Sequence, residues 1–327
     1  MNPGLVVGID IGGTKIAVGV ADMEGRLLKT HRCKSHEERG PDPMVADAVS
    51  MVKKALEEVG GPKARPLFAG IACPGPLDQK KGIVLSTPNM TNWENYPVVA
   101  RVEEALGIEA RLENDANAAG LGEALYGAGS GKEFVAYFTV STGVGGGFVE
   151  NGKVLHGAQG NAAEFGHTVV VPVGGDICGC GGAGHVESYA SGTAIQRRAR
   201  ERLRKGAQSL VRDLVDVDEV TTRELAIAAR KRDPFALSCF EEAGFFLGLG
   251  IVNVIQMFNP NIVILGGGVT NVGSLLFKPV QRTVNERVMK DYQGSFTIEK
   301  AKLGDHVGVR GAIGVALNAL AGKGKRQ

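Results

Sequence analysis

Short apolar runs alternate with amphipathic stretches along most of the chain. The runs predict strands at 5–10, 16–21, 26–30, 67–73, 134–140, 148–150, 153–155 and 262–265, and a loop followed by a strand at 107–112. The stretches with helical spacing predict helices at 42–59, 97–106, 115–125, 193–205, 221–231, 234–257 and 308–320. Strands that alternate with helices favour an α/β protein with layered packing.

One pattern occurs twice. Strand, glycine turn, strand, glycine turn and strand follow one another at 5–30 and again at 134–155. The two copies differ in spacing, so they indicate a duplicated unit and not a tandem array. We therefore expect two similar α/β domains that face each other across a cleft. The small domain is placed at 1–113 plus 308–327, and the large domain at 114–307.

Composition favours a soluble cytoplasmic enzyme. The 327 residues are 43% hydrophobic and 22% charged, with a net charge of +2, which gives no electrostatic reason to expect nucleic acid or a membrane as a partner. No apolar run is expected to reach the ~20 residues of a membrane span, and the first residues do not resemble a signal peptide. The chain has five cysteines, an odd number, and three of them (Cys33, Cys73 and Cys239) are scattered, which favours a reducing compartment.

Two cysteines and two histidines lie close together in a glycine-rich segment. They are His167, Cys178, Cys180 and His185, which match the ligand types and number of a closed, structural zinc site. The alternative is a disulfide or a pair of buried thiols, although one intervening residue would strain a bond between Cys178 and Cys180. Glu164 and Glu187 are not needed by the metal, so they are candidates to accept hydrogen bonds from hydroxyls of a polar ligand.

Three glycine turns are candidates for nucleotide contact. Their residues are Gly12, Gly13, Thr14 and Lys15 in the first turn, Thr142 and Gly143 in the second, and Gly266 and Gly267 in the third. Backbone N–H groups in such turns can bind phosphate oxygens, but each turn alone is also consistent with a tight hairpin. None has the Walker spacing or the dinucleotide fingerprint. Asp10, which ends a buried strand, is a candidate to hold Mg²⁺ through water.

Asn114 and Asp115 have two interpretations. They can cap the helix that follows, which is common for these residue types. Asp115 can instead act as a general base while Asn114 binds a substrate hydroxyl. Local sequence alone favours the cap.

Taken together, the motifs resemble the ROK family, which is named for repressors, open reading frames and kinases. The matching segments run in family order over nearly the whole chain: 10–15, 74–76, 88–89, 113–117, 141–147, 160–167, 178–180, Glu187 and 266–268. The resemblance implies the actin-like (ribonuclease H-like) ATPase fold with two domains and a cleft. It also implies ATP-dependent phosphorylation of glucose, with Mg²⁺ accompanying ATP.

The resemblance also implies roles for single residues. Asp115 would deprotonate the sugar 6-hydroxyl. The residues expected at the sugar are Gly75, Asn89, Asn114, Asp115, Glu164, His167 and Glu187. ATP would contact Asp10 and the three glycine turns. The family usually has a third cysteine where this chain has His185, so we expect a zinc site of two histidines and two cysteines.

Alternatives remain within the family. The substrate could be another hexose (N-acetylmannosamine, allose, mannose or fructose), and the chain could be a catalytically silent sugar sensor. Some family members are repressors with an added N-terminal helix-turn-helix, which we do not expect here because the first glycine motif begins at once. The resemblance suggests a homodimer or homotetramer.

Overall fold

The computed structural model describes residues 4–87 and 90–324. Its strands are β1 (Leu5–Ile11), β2 (Lys15–Asp22), β3 (Leu27–Lys34), β4 (Phe68–Cys73), β5 (Leu77–Asp78), β6 (Ile83–Val84), β7 (Ala110–Asn114), β8 (Phe134–Val140), β9 (Val144–Glu150), β10 (Lys153–Val154), β11 (Ile262–Gly266) and β12 (Thr297–Lys300). Its helices are α1 (Pro41–Gly60), α2 (Val98–Leu106), α3 (Asp115–Tyr126), α4 (Glu187–Ala190), α5 (Gly192–Arg204), α6 (Thr222–Arg230), α7 (Pro234–Phe258), α8 (Ser274–Arg287) and α9 (Val307–Gly324). The chain is thus α/β, as the sequence predicts.

The chain divides into two compact units. The first contains Met1–Glu133, Gly147–Ala162 and Ala301–Gln327, and the second contains Phe134–Gly146 and Ala163–Lys300. These bounds differ from the expected ones, because α3, the part of β9 from Gly147 onward and β10 belong to the first unit. The reason is packing: α3 contacts both α9 and β10, and the expected boundaries would separate α3 from α9.

The first unit is built on a mixed sheet in the order β3-β2-β1-β4-β7. The first three strands form an antiparallel meander, whereas β1, β4 and β7 are parallel. Helix α1 packs on one face and α9 on the other. Gly70 in β4 lets α9 approach closely, since a Cβ atom there would lie 1.8 Å from the carbonyl oxygen of Ala312. The carboxyl ends of the parallel strands share one edge, where ligands bind in many α/β proteins.

The second unit contains the parallel strands β8, β11 and β12 in that order. Helix α7 packs against α4, α6 and α8. It is the one described helix long and apolar enough to cross a membrane, with a mean hydropathy of 1.6. The expectation that no apolar run would reach that length is therefore wrong. However, 61% of the apolar window is buried inside the protein, as is typical of a core helix.

Some elements were not predicted. Helix α8 contains Pro279, a residue that ordinarily argues against a helix interior. Its ring packs against Gly244 of α7, where a Cβ atom would lie 2.5 Å from the Cγ atom of Pro279. Strand β9 begins at Val144, four residues before its expected start, because the glycines of that run are in the strand and not in the turn.

Candidate functional site

The first unit collects candidate side chains at the carboxyl edge of its sheet. In the strand register, Asp10 of β1 lies opposite Ala72 of β4, and Ala72 lies opposite Glu113 of β7. Asn114 therefore ends β7 at the level where β4 ends, one residue before α3 begins. Parallel strands thus bring Asp10, Asn114 and Asp115 to one edge although the chain separates them by about a hundred residues.

Asn114 caps helix α3. Its Oδ1 atom accepts hydrogen bonds from the backbone N–H groups of Ala116 (2.9 Å) and Asn117 (3.2 Å), so the cap interpretation is confirmed. The cap uses the oxygen and leaves the Nδ2 group as a donor. A Cβ atom at Gly75 would lie 3.4 Å from Nδ2, which places this donor beside the turn that follows β4. The cap does not prevent Asn114 from binding a ligand.

Two carboxyl groups at this edge have raised pKa values. Burial raises the pKa of Asp10 to about 6, opposed by the positive charge of Lys15 and reinforced by the negative charge of Asp115. Desolvation by the neighbouring protein atoms also raises the pKa of Asp115. A 2.8 Å hydrogen bond from the N–H group of Ala116 acts to lower it. Asp115 itself is exposed. An exposed carboxyl group with an elevated pKa is a good candidate for a general base.

A buried carboxylate behind this edge was missed by the sequence reasoning. The Oε1 atom of Glu113 accepts from Gln79 Nε2 (2.6 Å), from the N–H group of Asn114 (2.9 Å) and from Asn117 Nδ2 (3.1 Å). Its Oε2 atom lies 2.6 Å from His156 Nε2, and this contact raises the pKa of His156. The only signal in the sequence is a glutamate inside an otherwise short apolar strand, because the partners lie far away along the chain.

The first glycine turn is a tight hairpin. Ile11 pairs with Ile16 across it, and the N–H group of Gly12 donates to the carbonyl oxygen of Lys15 at 3.0 Å. The Nζ atom of Lys15 donates to the carbonyl oxygen of Asp305 at 3.3 Å. The hairpin alternative is therefore confirmed for Gly12, Gly13 and Thr14, and phosphate binding by this turn remains a prediction.

The second unit brings the four expected metal ligands together. One ligand atom from each of His167, Cys178, Cys180 and His185 lies within 4.8 Å of the other three. Cys178 Sγ is 3.6 Å from His167 Nδ1, and Cys180 Sγ is 3.3 Å from His185 Nδ1. Zinc bonded to sulfur at ~2.3 Å and to nitrogen at ~2.0 Å would hold tetrahedral neighbours about 3.5 Å apart. The donor set therefore fits a tetrahedral zinc ion.

The ligand loop, residues 167–187, is held by glycine turns and by one ion-pair cluster. The N–H group of Cys178 donates to the carbonyl oxygen of Gly182 at 2.7 Å. Gly184 has a φ of 72°, and a Cβ atom there would lie 1.9 Å from the carbonyl oxygen of Val171, so only glycine fits. Asp176 lies 2.6 Å from Arg197 and 2.7 Å from Arg198 of α5. This cluster attaches the loop to α5, and sequence reasoning did not find it.

The two glutamates beside the ligands differ in their contacts. Glu164 is exposed, and its Oε2 atom lies 4.0 Å from Nε2 of His167. Glu187 accepts from the N–H group of Val144 at 2.9 Å and from Cys178 Sγ at 3.4 Å. Glu187 therefore connects the second glycine turn to the ligand loop. A Cβ atom at Gly143 would lie 2.5 Å from Glu187 Oε2, so glycine is needed there for packing, whatever the turn binds.

The third glycine turn follows β11. Gly267 has a φ of 87°, and a Cβ atom there would lie 2.4 Å from the carbonyl oxygen of Val140. At Gly266 it would lie 2.3 Å from the hydroxyl of Tyr137. Both glycines are therefore required by the fold, and contact with a base or ribose remains a prediction. Asn89 lies outside the described residues.

Comparison with known proteins identifies the family. A family model described as "ROK family" matches residues 6–319. The chain belongs to the ROK family. Glucokinase from Thermotoga maritima is 36% identical over 97% of this ROK chain and 98% of its own length.

Two solved structures are similar in fold and sequence. ROK hexokinase from Thermus thermophilus is 34% identical, with a TM-score of 0.83 over 97% of this chain and 99% of its own. A ROK family glucokinase from Streptomyces griseus, solved with glucose and AMPPNP, is 35% identical. Its TM-score is 0.79 over 96% of this chain and 100% of its own. These matches confirm the expected actin-like ATPase fold for this ROK protein.

Proposed function

We propose that this ROK protein is a glucokinase, which transfers the γ-phosphoryl group of ATP to the 6-hydroxyl of glucose. The observation that carries the proposal is the arrangement of Asn114 and Asp115 at the carboxyl end of β7. Asn114 presents its amide donor while its oxygen caps α3, and the exposed Asp115 has a carboxyl pKa above its ordinary value. Relatives named glucokinase and the complex with glucose and AMPPNP support the choice of sugar and nucleotide.

Asp115 is proposed as the base. Phosphoryl transfer to an alcohol requires removal of the hydroxyl proton as the new O–P bond forms, and a positioned carboxylate can accept that proton. Asn114 Nδ2 and the backbone beside Gly75 would orient the sugar. The same sugar would donate hydrogen bonds from its other hydroxyls to Glu164 and Glu187 and contact His167, as the family resemblance implies. Asn89 completes the proposed sugar residues.

Zinc would be structural in this proposal. The ion would hold the four ligands in place and would thereby fix the orientation of the His167 ring. In that ring Nδ1 faces Cys178 and Nε2 faces Glu164. His167 would then have one nitrogen at the metal and one available for a hydroxyl. With four protein ligands the ion has no open position for substrate.

The nucleotide would be bound by the glycine turns. The proposed contacts are Gly12, Gly13, Thr14, Lys15, Thr142, Gly143, Gly266 and Gly267. Asp10 would hold Mg²⁺, which neutralises charge on the transferred phosphoryl group. The raised pKa of Asp10 fits this role, because a divalent cation would offset the cost of ionising a buried carboxyl group. A cytoplasmic homodimer or homotetramer remains the expected form.

The proposal is tested by measuring ADP release from zinc-loaded protein over a panel of glucose, mannose, fructose, allose and N-acetylmannosamine. We expect the highest kcat/KM with glucose and ATP, and phosphate on oxygen 6 of the product by ³¹P NMR. A higher kcat/KM with another hexose would show that this hexose, and not glucose, is the preferred substrate. Glucose binding without turnover of any sugar would identify a silent sensor and overturn the kinase proposal.

A further inference from the structure

A cavity of about 550 Å³ lies within the first unit, apart from the carboxyl edge of its sheet. It is bordered by the edge strand β7, by β10, and by the C-terminal half of α9. The volume is in the range of small-molecule sites. None of the sugar, nucleotide or zinc residues proposed above lines it. Its polar lining includes Arg111, Lys153, His156 and Asn318, and its apolar lining includes Phe68 and Leu121.

The cavity carries positive charge that the protein does not neutralise. Its two glutamates are paired, Glu109 with Lys323 and Glu113 with His156. Among residues 4–87 and 90–324, neither Arg111 nor Lys153 has a carboxylate within ion-pair distance. Arg111 and His156 line the same cavity, and the positive charge of Arg111 acts to lower the pKa of His156. Two unpaired cations beside an apolar wall are suited to an organic anion.

His156 links the cavity to the start of α3. Its ring lines the cavity, and its Nε2 atom lies 2.6 Å from Glu113 Oε2. The other carboxylate oxygen of Glu113 accepts from the N–H group of Asn114 and from Asn117 Nδ2. An anion beside His156 would stabilise the imidazolium form and strengthen its pair with Glu113. That change would act on the first turn of α3, where Asn114 and Asp115 lie.

We propose that this cavity binds a small organic phosphate through Arg111, Lys153 and His156, and that binding changes sugar affinity through Glu113. The phosphate group would lie near the two unpaired cations, and its organic part near the half-buried apolar lining residues Val154 and Ala319. The coupling to sugar rests on the proposed function, whereas the binding site does not.

The binding site is tested by calorimetric titration of the full-length, zinc-loaded protein with phenyl phosphate, inorganic phosphate and phenol. We expect phenyl phosphate to bind most tightly and phenol not to bind. The double variant R111Q/K153Q should weaken phenyl phosphate binding at least about tenfold, because two charge-assisted contacts are lost. The matched control K53Q/K54Q removes two exposed charges from α1. Equal affinity in both double variants, or no binding to wild type, would overturn the site, and equal affinity for inorganic and phenyl phosphate would overturn the organic part.

Two further measurements test the link to α3. The ¹⁵N resonances of the His156 ring should shift with phenyl phosphate in wild type but not in R111Q/K153Q, and this readout is independent of activity. The Kd for glucose should change at least about threefold with saturating phenyl phosphate, a small coupling free energy, and should stay constant in R111Q/K153Q. Binding with no change in Kd for a sugar that the enzyme phosphorylates would overturn the coupling. Failure of every sugar in the kinase assay would instead contradict the proposed function and leave the titration result standing.

Discussion

The start of α3 and the ligand loop position their side chains by different means. Asn114 and Asp115 lie where a parallel strand meets a helix, and backbone hydrogen bonds together with the buried Glu113 hold them. The ligand loop runs from a short 3₁₀ turn at Phe165–His167 to α4. Between them its strand-like pairing is limited to two isolated bridges, Val169 with His185 and Ile177 with Ala183. It exposes large apolar side chains, since Val173 is 87% and Ile177 is 73% accessible. The first region is fixed by regular structure, whereas the second, beyond its ion pairs with α5, would depend on side-chain bonds to the proposed zinc ion.

This difference predicts different responses to mutation. A side chain at the start of α3 can be replaced without loss of the scaffold, because strand pairing and the Asn114 cap remain. Removal of one metal ligand releases the loop, because few buried apolar contacts would replace the lost bond. A mutation in the first region should therefore be able to change catalysis without changing the local structure. A mutation of a ligand in the second region should change both.

The largest effect is expected at Asp115. Asp115→Ala and Asp115→Asn should lower kcat by at least ~10²–10⁴-fold, the usual contribution of a positioned base. The Kd for glucose should change little, because Asn114 and the helix cap are unaffected. Steady-state kinetics and calorimetry measure the two quantities, and Asp291→Ala removes an exposed carboxylate elsewhere as the control. If Asp115→Ala kept more than about a tenth of wild-type kcat, Asp115 would not be the base.

The next effect concerns the ligand loop. We expect one zinc ion per chain by elemental analysis. Cys178→Ser should lose zinc and weaken glucose binding by about 10–100-fold, the range for lost support of a metal-bound group, before the protein unfolds. His185→Cys should retain zinc and His185→Ala should not. Wild-type protein that is fully active without zinc would contradict the structural role, as would His185→Ala with wild-type zinc affinity.

A third prediction uses Gly143, where nucleotide and sugar residues meet within the second unit. If Gly143 served only the nucleotide, Gly143→Val would raise the KM for ATP and spare glucose. The Cβ atom of a new side chain would lie 2.5 Å from Glu187 Oε2, so we now expect both KM values to rise. Gly143→Ala should raise both less strongly, since it adds one methyl group. The test is a KM measurement for each substrate, with unfolding curves as the control for stability. A rise in the ATP value alone would show that Glu187 moves without cost to sugar binding.

The sequence allowed the α/β fold, the glycine turns and the cluster of two histidines and two cysteines to be predicted because each has a local signature. Four candidate ligands of two types within 19 positions and an Asn-Asp pair before a helical stretch are visible without coordinates. The network of Gln79, Glu113 and His156 cannot be recognised in the sequence, because Glu113 lies 34 residues from Gln79 and 43 residues from His156. Helix α8 was missed because it contains Pro279, a residue that ordinarily argues against a helix interior. What could not be predicted depends on tertiary neighbours.

The smallest effect is expected at Asp10, where ionisation of a carboxyl group at the end of β1 costs the folded protein free energy. The pKa of Asp10 is about 6 in the folded protein against an ordinary value of 3.8, so ionisation destabilises the folded state. This penalty is absent below pH ~4, develops between pH ~4 and ~6, and is constant above. Asp10→Asn removes it and should stabilise the protein by about 1–2 kcal/mol at pH 7.5, a value reduced for partial solvent exposure. At pH 4.5 the gain should be much smaller.

Thermal unfolding in magnesium-free buffer at both pH values measures the difference, with Asp291→Asn as the control for a lost exposed charge. The stabilised variant should lose kinase activity, because it has no carboxylate for Mg²⁺. A variant that is less stable than wild type at pH 7.5, or equally stabilised at both pH values, would show that the folded protein does not disfavour the ionised form of Asp10. In that case the carboxyl edge of the first unit would store no electrostatic strain for a bound cation to relieve.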